Sequence, residues 1–321
     1  MALFRMSFHS ACHQRLVPAN VLLPIDTPAP PGTAKEPKPY KTLYLLHGYR
    51  GNCDAWLHNS SITEIAALYD IAVVMPEGVN GFYVDQPHSG ILGSEYIARE
   101  LVEITRRTFP LSDRRDDTLI AGLSMGGYGT LYNAFKHGDV FGHAIALSTP
   151  VKVLRYESEY EPKDNEFKQT PGYFETLHGD LSDVYNTDRN LALHAKQVLD
   201  ASRPVTDLYI ACGYNDTLVP ENRELHENLR DIGYPHTYEE GAGTHEWPFW
   251  NEFLKRGLTH ALGEPEAPPH PFWVPGNEYL ETQTEHLEAT IKFKKAQEEF
   301  LQAEIKFTKA QTEYIEFLKG R

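Results

Sequence analysis

The sequence predicts an α/β fold: a doubly wound, mostly parallel sheet with helices on both faces, followed by a long C-terminal helical arm. Three observations carry this. Short apolar runs alternate with amphipathic stretches over the first 260 or so residues, the pattern of strands alternating with helices. One run, Ile71-Ala72-Val73-Val74-Met75, is apolar throughout and closed by Pro76, as expected of a parallel strand covered on both faces. A third, Thr118-Leu119-Ile120-Ala121, leads into Gly122-Leu123-Ser124-Met125-Gly126 and then a helix-like segment, the sequence form of a tight strand-to-helix turn that exposes its serine.

In chain order, Phe4–His9 and Val17–Leu23 read as two early strands with a turn near Ala11–Gln14, and a proline-rich loop occupies 24–39. Tyr40–Leu46 is a strand ending in His47-Gly48-Tyr49, and Ile62–Leu68 is a helix. Ser94–Phe109 is an amphipathic helix with Ile97, Leu101 and Ile104 at helical spacing. After the serine turn come a helix over 130–136, a strand over 144–147, and a polar insertion over 151–190 broken by Pro162 and Pro171. A helix over 188–199, a strand over 207–211, a helix over 220–232, a short strand over 236–239 and a helix over 247–258 complete a first domain of residues 1–261.

Prolines 265, 268, 269, 271 and 275 stiffen a linker over 262–276. Beyond it, 277–321 is expected to be a helical arm. Its 14-residue repeat pairs Ile291–Phe300 with Ile305–Tyr314, and apolar positions recur at 4-3 spacing on one stripe with a second stripe beside it. A helix apolar on two faces seeks two neighbours. The arm either covers its own domain or joins copies of the chain, and the second reading, a homo-oligomer, is favoured.

Composition excludes several roles. With 45 acidic and 30 basic residues the net charge is −15, which disfavours nucleic acid and anionic membranes as partners. The first 23 residues lack a basic region followed by an apolar one, and no stretch approaches 18 apolar residues. A cytoplasmic protein without a transmembrane segment is expected. Cys12, Cys53 and Cys212 form neither a disulfide framework nor a metal pattern. His226-Glu227 lacks the second histidine of a zinc helix, so no metal is expected, and with no dinucleotide or phosphate loop in the sequence neither is a cofactor.

A serine at its ordinary pKa is a poor nucleophile and needs a base, which in turn needs an orienting acid. With a nucleophile on such a turn, the chain order is serine, acid, histidine. Asp216 lies just past the 207–211 strand and is the candidate acid, with a turn or helix-capping role as the alternative; Asp207 begins that strand and sits at the wrong end of the sheet. Among the 15 histidines, His245 stands in a glycine-bearing loop at the mouth of the last helix and is the candidate base. The Met125 N–H, at a helix N-terminus, and the Tyr49 N–H, after the 40–46 strand, are the candidate oxyanion donors. His47 is read as structural, orienting that loop. Phe82, Tyr83, Tyr128 and Trp247 are candidates for an aromatic substrate pocket, with core packing as the alternative for each and the favoured reading for Phe249 and Trp250.

The chain resembles the esterase D and tributyrin-esterase-like family of α/β-hydrolases, related to S-formylglutathione hydrolases, feruloyl and acetylxylan esterases and mycolyltransferases. The resemblance covers about residues 1–260. It rests on Leu-Leu-His-Gly-Tyr-x-Gly-Asn at 45–52, Val-Met-Pro-Glu-Gly at 74–78, Gly-Phe-Tyr-Val-Asp at 81–85, Arg-Arg-Thr-Phe-Pro at 106–110, Ala-Gly-Leu-Ser-Met-Gly-Gly-Tyr-Gly at 121–129 and Gly-x-His-Glu-Trp-x-Phe-Trp at 243–250. It implies an α/β-hydrolase fold and a cofactor-free serine esterase with Ser124, Asp216 and His245 as its triad and Tyr49 and Met125 as its oxyanion hole. The expected activity is hydrolysis of short-chain acyl or aryl esters, hydroxycinnamoyl esters included. A thioesterase or acyltransferase on the same residues is the alternative within the class, and an inactive scaffold acting through its arm is the alternative outside it.

Overall fold

The computed structural model describes residues 1–26, 39–151 and 170–265, together with Lys295. The chain divides into two units, Met1–Ala267 and Pro268–Arg321. In the second, only Lys295 is described, in helical conformation, so the helical arm and its repeat lie outside the described residues, as do most of the linker and residues 152–169 of the insertion.

Among the described residues eight strands form one sheet. They are β1 (Ala2–Ser10), β2 (Arg15–Leu23), β3 (Thr42–Leu46), β4 (Ala72–Pro76), β5 (Thr118–Leu123), β6 (His143–Leu147), β7 (Asp207–Gly213) and β8 (His236–Gly241), in the order β1-β2-β4-β3-β5-β6-β7-β8. β1 and β2 are antiparallel, as are β2 and β4; every other pairing is parallel. The runs that lack a polar face are the central strands, because helices cover both sides.

Alternation along β3 shows the two layers. Tyr44 and Leu46 face one core, packed with Met125 and Leu131 of α5 (Met125–Lys136), Ala195 of α7 (Leu191–Asp200) and Leu225 of α8 (Val219–Asp231). Leu43 and Leu45 face the other, packed with Trp56 of α1 (Ala55–Asn59), Ile62 and Ile65 of α2 (Ile62–Leu68), and Phe253 and Leu254 of α9 (Trp247–Leu262). The side-chain period of two in a strand thus divides one apolar run between two layers.

The expected 94–109 helix is α3 (Gly93–Glu95) and α4 (Leu101–Thr108) joined by a π-helical turn over Tyr96–Glu100. That turn presents the Glu100 carboxylate to the β1–β2 hairpin, where it accepts from the Ser10 hydroxyl and the Ala11 N–H. Two helices were not anticipated. α1 is too short to show a period and is anchored by Trp56, whose Nε1–H donates to the Leu46 carbonyl at 3.0 Å. α6 (Pro171–His178) begins at the proline read as an interruption; Thr170 caps it and Pro171 occupies its first turn, where a missing N–H costs no bond.

Candidate active site

The parallel strands bring three loops to one end of the sheet, and the turn from β5 to α5 is the tightest of them. Ser124 sits at φ 53°, ψ −121°, a sparsely populated conformation that costs on the order of 1–3 kcal/mol and persists only when its surroundings enforce it. Enforcement comes from close backbone approach. A Cβ on Gly122 would lie 2.4 Å from the Gly126 carbonyl oxygen, and one on Gly126 would lie 2.6 Å from that of Leu46. Ser124 N–H donates to the Leu147 carbonyl at 2.8 Å, tying the turn to β6.

Asp216 follows β7 in a turn closed by its own N–H to the Gly213 carbonyl at 3.0 Å. Its side chain is fully buried. Oδ1 accepts the Leu218 N–H at 2.9 Å ahead of α8, and Oδ2 accepts from His245 Nδ1 at 2.9 Å. The residue therefore caps a turn and orients a histidine at once. Burial pushes its carboxyl up, but the hydrogen bonds from His245 and Leu218, the His245 charge and the Ser148 hydroxyl together hold it below the ordinary carboxylate value. An ionised Asp216 accepts only, so Nδ1 of His245 carries a proton and Nε2 offers a lone pair. Nε2 lies 3.0 Å from Ser124 Oγ.

Sequence reasoning missed Ser148. It follows β6 at φ 50°, and its Oγ accepts the Trp250 Nε1–H at 3.0 Å. The Trp250 ring meets the His245 ring edge-on, centroids 4.9 Å apart. A serine after an apolar strand carries no sequence signal of this kind; only the fold reveals it.

Met125 begins α5 and Tyr49 stands on the loop after β3, and both border the cavity at Ser124. That loop is clamped from behind. His47 Nε2 accepts the Gly78 N–H at 3.0 Å, leaving Nδ1 to donate to the Gly48 carbonyl at 2.8 Å. The His47 carbonyl accepts the Tyr83 hydroxyl at 2.9 Å, and Asn80 Oδ1 accepts the Arg50 N–H at 2.8 Å.

The cavity is open and measures about 600 Å³. Phe82 and Trp247 line it, and Trp250 borders it. Tyr83 and Tyr128 do not, which corrects the expected pocket. Val79, Phe82 and Tyr83 all have positive φ, so the chain reverses at this point, and of the three only Phe82, itself just 2% exposed, borders the cavity. The buried Tyr83 ring packs on Gly129. Tyr128 is buried in the α5 layer with its hydroxyl donating to the Arg189 carbonyl at 2.8 Å. Phe249 is buried and stacks on Phe253.

Residues 14–261 match the esterase family model described as "Putative esterase". The chain belongs to this esterase family. An acetyl esterase from Caldicellulosiruptor saccharolyticus is 34% identical to it over 255 residues, 79% of this chain and 96% of that protein. Among solved structures, a fluorophosphonate-binding serine hydrolase of Staphylococcus aureus superposes with a TM-score of 0.71 at 30% identity, covering 81% of this esterase and 98% of its own chain. An S-formylglutathione hydrolase from Staphylococcus aureus gives 0.68 at 29% identity, with coverages of 81% and 98%. The esterase thus has the α/β-hydrolase fold and is an enzyme of the carboxylic ester hydrolase class, acting on small-molecule esters. Among its described residues no helix is long and apolar enough to cross a membrane.

Proposed function

We propose that the protein is a serine carboxylesterase that cleaves short-chain acyl or aryl esters through an acyl-enzyme on Ser124. The observation that carries this reading is the relay of Ser124 Oγ, His245 and Asp216 at 3.0 and 2.9 Å. Ser124 Oγ attacks the ester carbonyl carbon as His245 Nε2 takes its proton. Asp216 holds Nδ1–H in place and offsets the imidazolium charge. The tetrahedral oxyanion accepts from the N–H groups of Met125 and Tyr49. Collapse breaks the bond to the alcohol oxygen, which leaves with the proton from His245, and a water then repeats the steps to free the acid. Phe82 and Trp247 supply apolar walls for the acyl or aryl group.

Hydrolysis of 4-nitrophenyl acetate, lost in Ser124→Ala, tests this; retained turnover removes Ser124 from the mechanism. Likeness to an S-formylglutathione hydrolase favours one second reading, a thioesterase on the same residues. It gains if thioesters are turned over far faster than oxygen esters of the same acyl group. An inactive scaffold is the reading left if a fluorophosphonate probe fails to label Ser124.

Two further proposals rest on the sequence pattern. Residues 277–321 join copies into a homo-oligomer, and a chain ending at Ala261 that keeps the native oligomeric state in light scattering would refute this. The enzyme works in the cytoplasm, a setting in keeping with Cys12, Cys53 and Cys212 as free thiols.

A further inference from the structure

The cavity at Ser124 has an uneven charge. Among the described residues that line it, Arg50 alone carries a fixed charge, and none of them is Asp, Glu or Lys. The protein as a whole carries a net charge of −15, so a single cation among the described residues of this cavity runs against the charge of the rest of the chain.

Arg50 is also placed at a cost. Its φ is 64°, the left-handed region that disfavours any side chain by roughly 1–2 kcal/mol and that glycine would take freely. The residue is exposed, so packing does not repay that cost. Its guanidinium makes no ion pair among the described residues. Strain of this kind points to a functional placement. The position itself is held firm: the Arg50 N–H is bound by Asn80 Oδ1 at 2.8 Å, and the loop closes on itself through the Gly51 N–H to the Gly48 carbonyl at 3.1 Å. Arg50 directly follows Tyr49, the proposed oxyanion donor, and both line the cavity that holds Ser124. A planar fork of N–H donors there matches a carboxylate in two parallel hydrogen bonds.

We propose that Arg50 forms a carboxylate subsite, and that the preferred substrates of this esterase are esters bearing a carboxylate near the ester bond. This rests on Ser124 as the nucleophile. No bond changes at Arg50; it binds and orients.

The test compares kcat/KM for matched pairs that differ only in charge. 4-Acetoxybenzoate against 4-acetoxybenzamide places the carboxylate on the leaving group; phenyl hydrogen adipate against its adipamide analogue places it on the acyl group. The wild type is expected to favour the carboxylate member of at least one pair by about 3- to 5-fold, the scale of an exposed ion pair. Arg50→Gln is expected to erase that ratio, Arg50→Glu to invert it, and about 0.5 M NaCl to shrink it in the wild type. Ratios within one preparation are insensitive to lower yields of folded variant. Absence of a carboxylate preference in both pairs, or a ratio that neither substitution moves, overturns the subsite. Ser124→Ala separates the two claims: if it leaves turnover intact, the nucleophile is wrong, whereas if it abolishes turnover and the ratios ignore Arg50, only the subsite is wrong.

Discussion

The two walls of the cavity are built differently. On one side, β5, β7 and β8 end in loops that hold Ser124, Asp216 and His245, and each residue sits where its strand delivers it. On the other, the loop after β3 is held by the 78–83 segment, where Val79, Phe82 and Tyr83 and, across from them, Arg50 all adopt positive φ. The first wall is determined by topology and local spacing. The second depends on side-chain directions set by unusual backbone conformations. Nucleophile chemistry is written in motifs, whereas substrate shape is written in turns whose sense no periodicity reveals.

The largest effect expected on the first wall comes from Asp216→Asn. An amide can donate to His245 and reverse the tautomer, so kcat should fall about 10³- to 10⁴-fold with the fold intact. Steady-state kinetics beside circular dichroism checks it, and a loss below ten-fold would make Asp216 a turn residue alone. Next is Gly122→Ala. The added methyl meets the Gly126 carbonyl at 2.4 Å, and the turn should lose about 2–3 kcal/mol, read as a lower urea midpoint with an unchanged slope.

Much of the first wall was legible in the sequence. Gly122-Leu123-Ser124-Met125-Gly126 specifies a turn by absence of bulk, and the order serine, acid, histidine follows from the winding of parallel strands. The ends of strands and helices moved by a few residues, as with α9 running on to Leu262. The second wall was not legible. Phe82, Tyr83 and Tyr128 look alike as aromatics near a motif, yet only Phe82 reaches the cavity, because consecutive left-handed residues redirect their side chains. α1 is too short for a period, and α6 starts on a proline that reads as a break. Ser148 acts through Trp250 and Asp216, which are distant in sequence.

The second wall should also respond to acid. His178, on α6 behind Phe82, is buried among Phe82, Tyr128 and Phe174. Burial, with the Arg189 charge, lowers its pKa from 6.5 to about 3. Between those values the unfolded chain takes up a proton that the folded chain refuses, so this stability is fully present above pH 6.5 and falls as pH drops. The loss is about 1.4 kcal/mol per pH unit. Denaturation midpoints between pH 7 and 5 should fall less steeply in His178→Phe than in the wild type; parallel slopes would contradict the assignment.

The smallest effects separate the two buried tyrosines. Tyr83→Phe frees the His47 carbonyl behind the oxyanion loop, so kcat should drop several-fold with KM nearly constant. Tyr128→Phe removes only the bond to Arg189, about 1 kcal/mol of stability, and should leave kcat unchanged. Equal kinetic effects would mean that the clamp on the β3 loop has no special role.

The central claim is that Ser124 carries the acyl group. Acid-quenched turnover of 4-nitrophenyl acetate, followed by peptide mass spectrometry, tests it most directly. One acetyl group is expected, on the peptide holding Ser124 and on Ser124 itself. Steady turnover with no acetyl group on Ser124, or with the group on another residue, would contradict it.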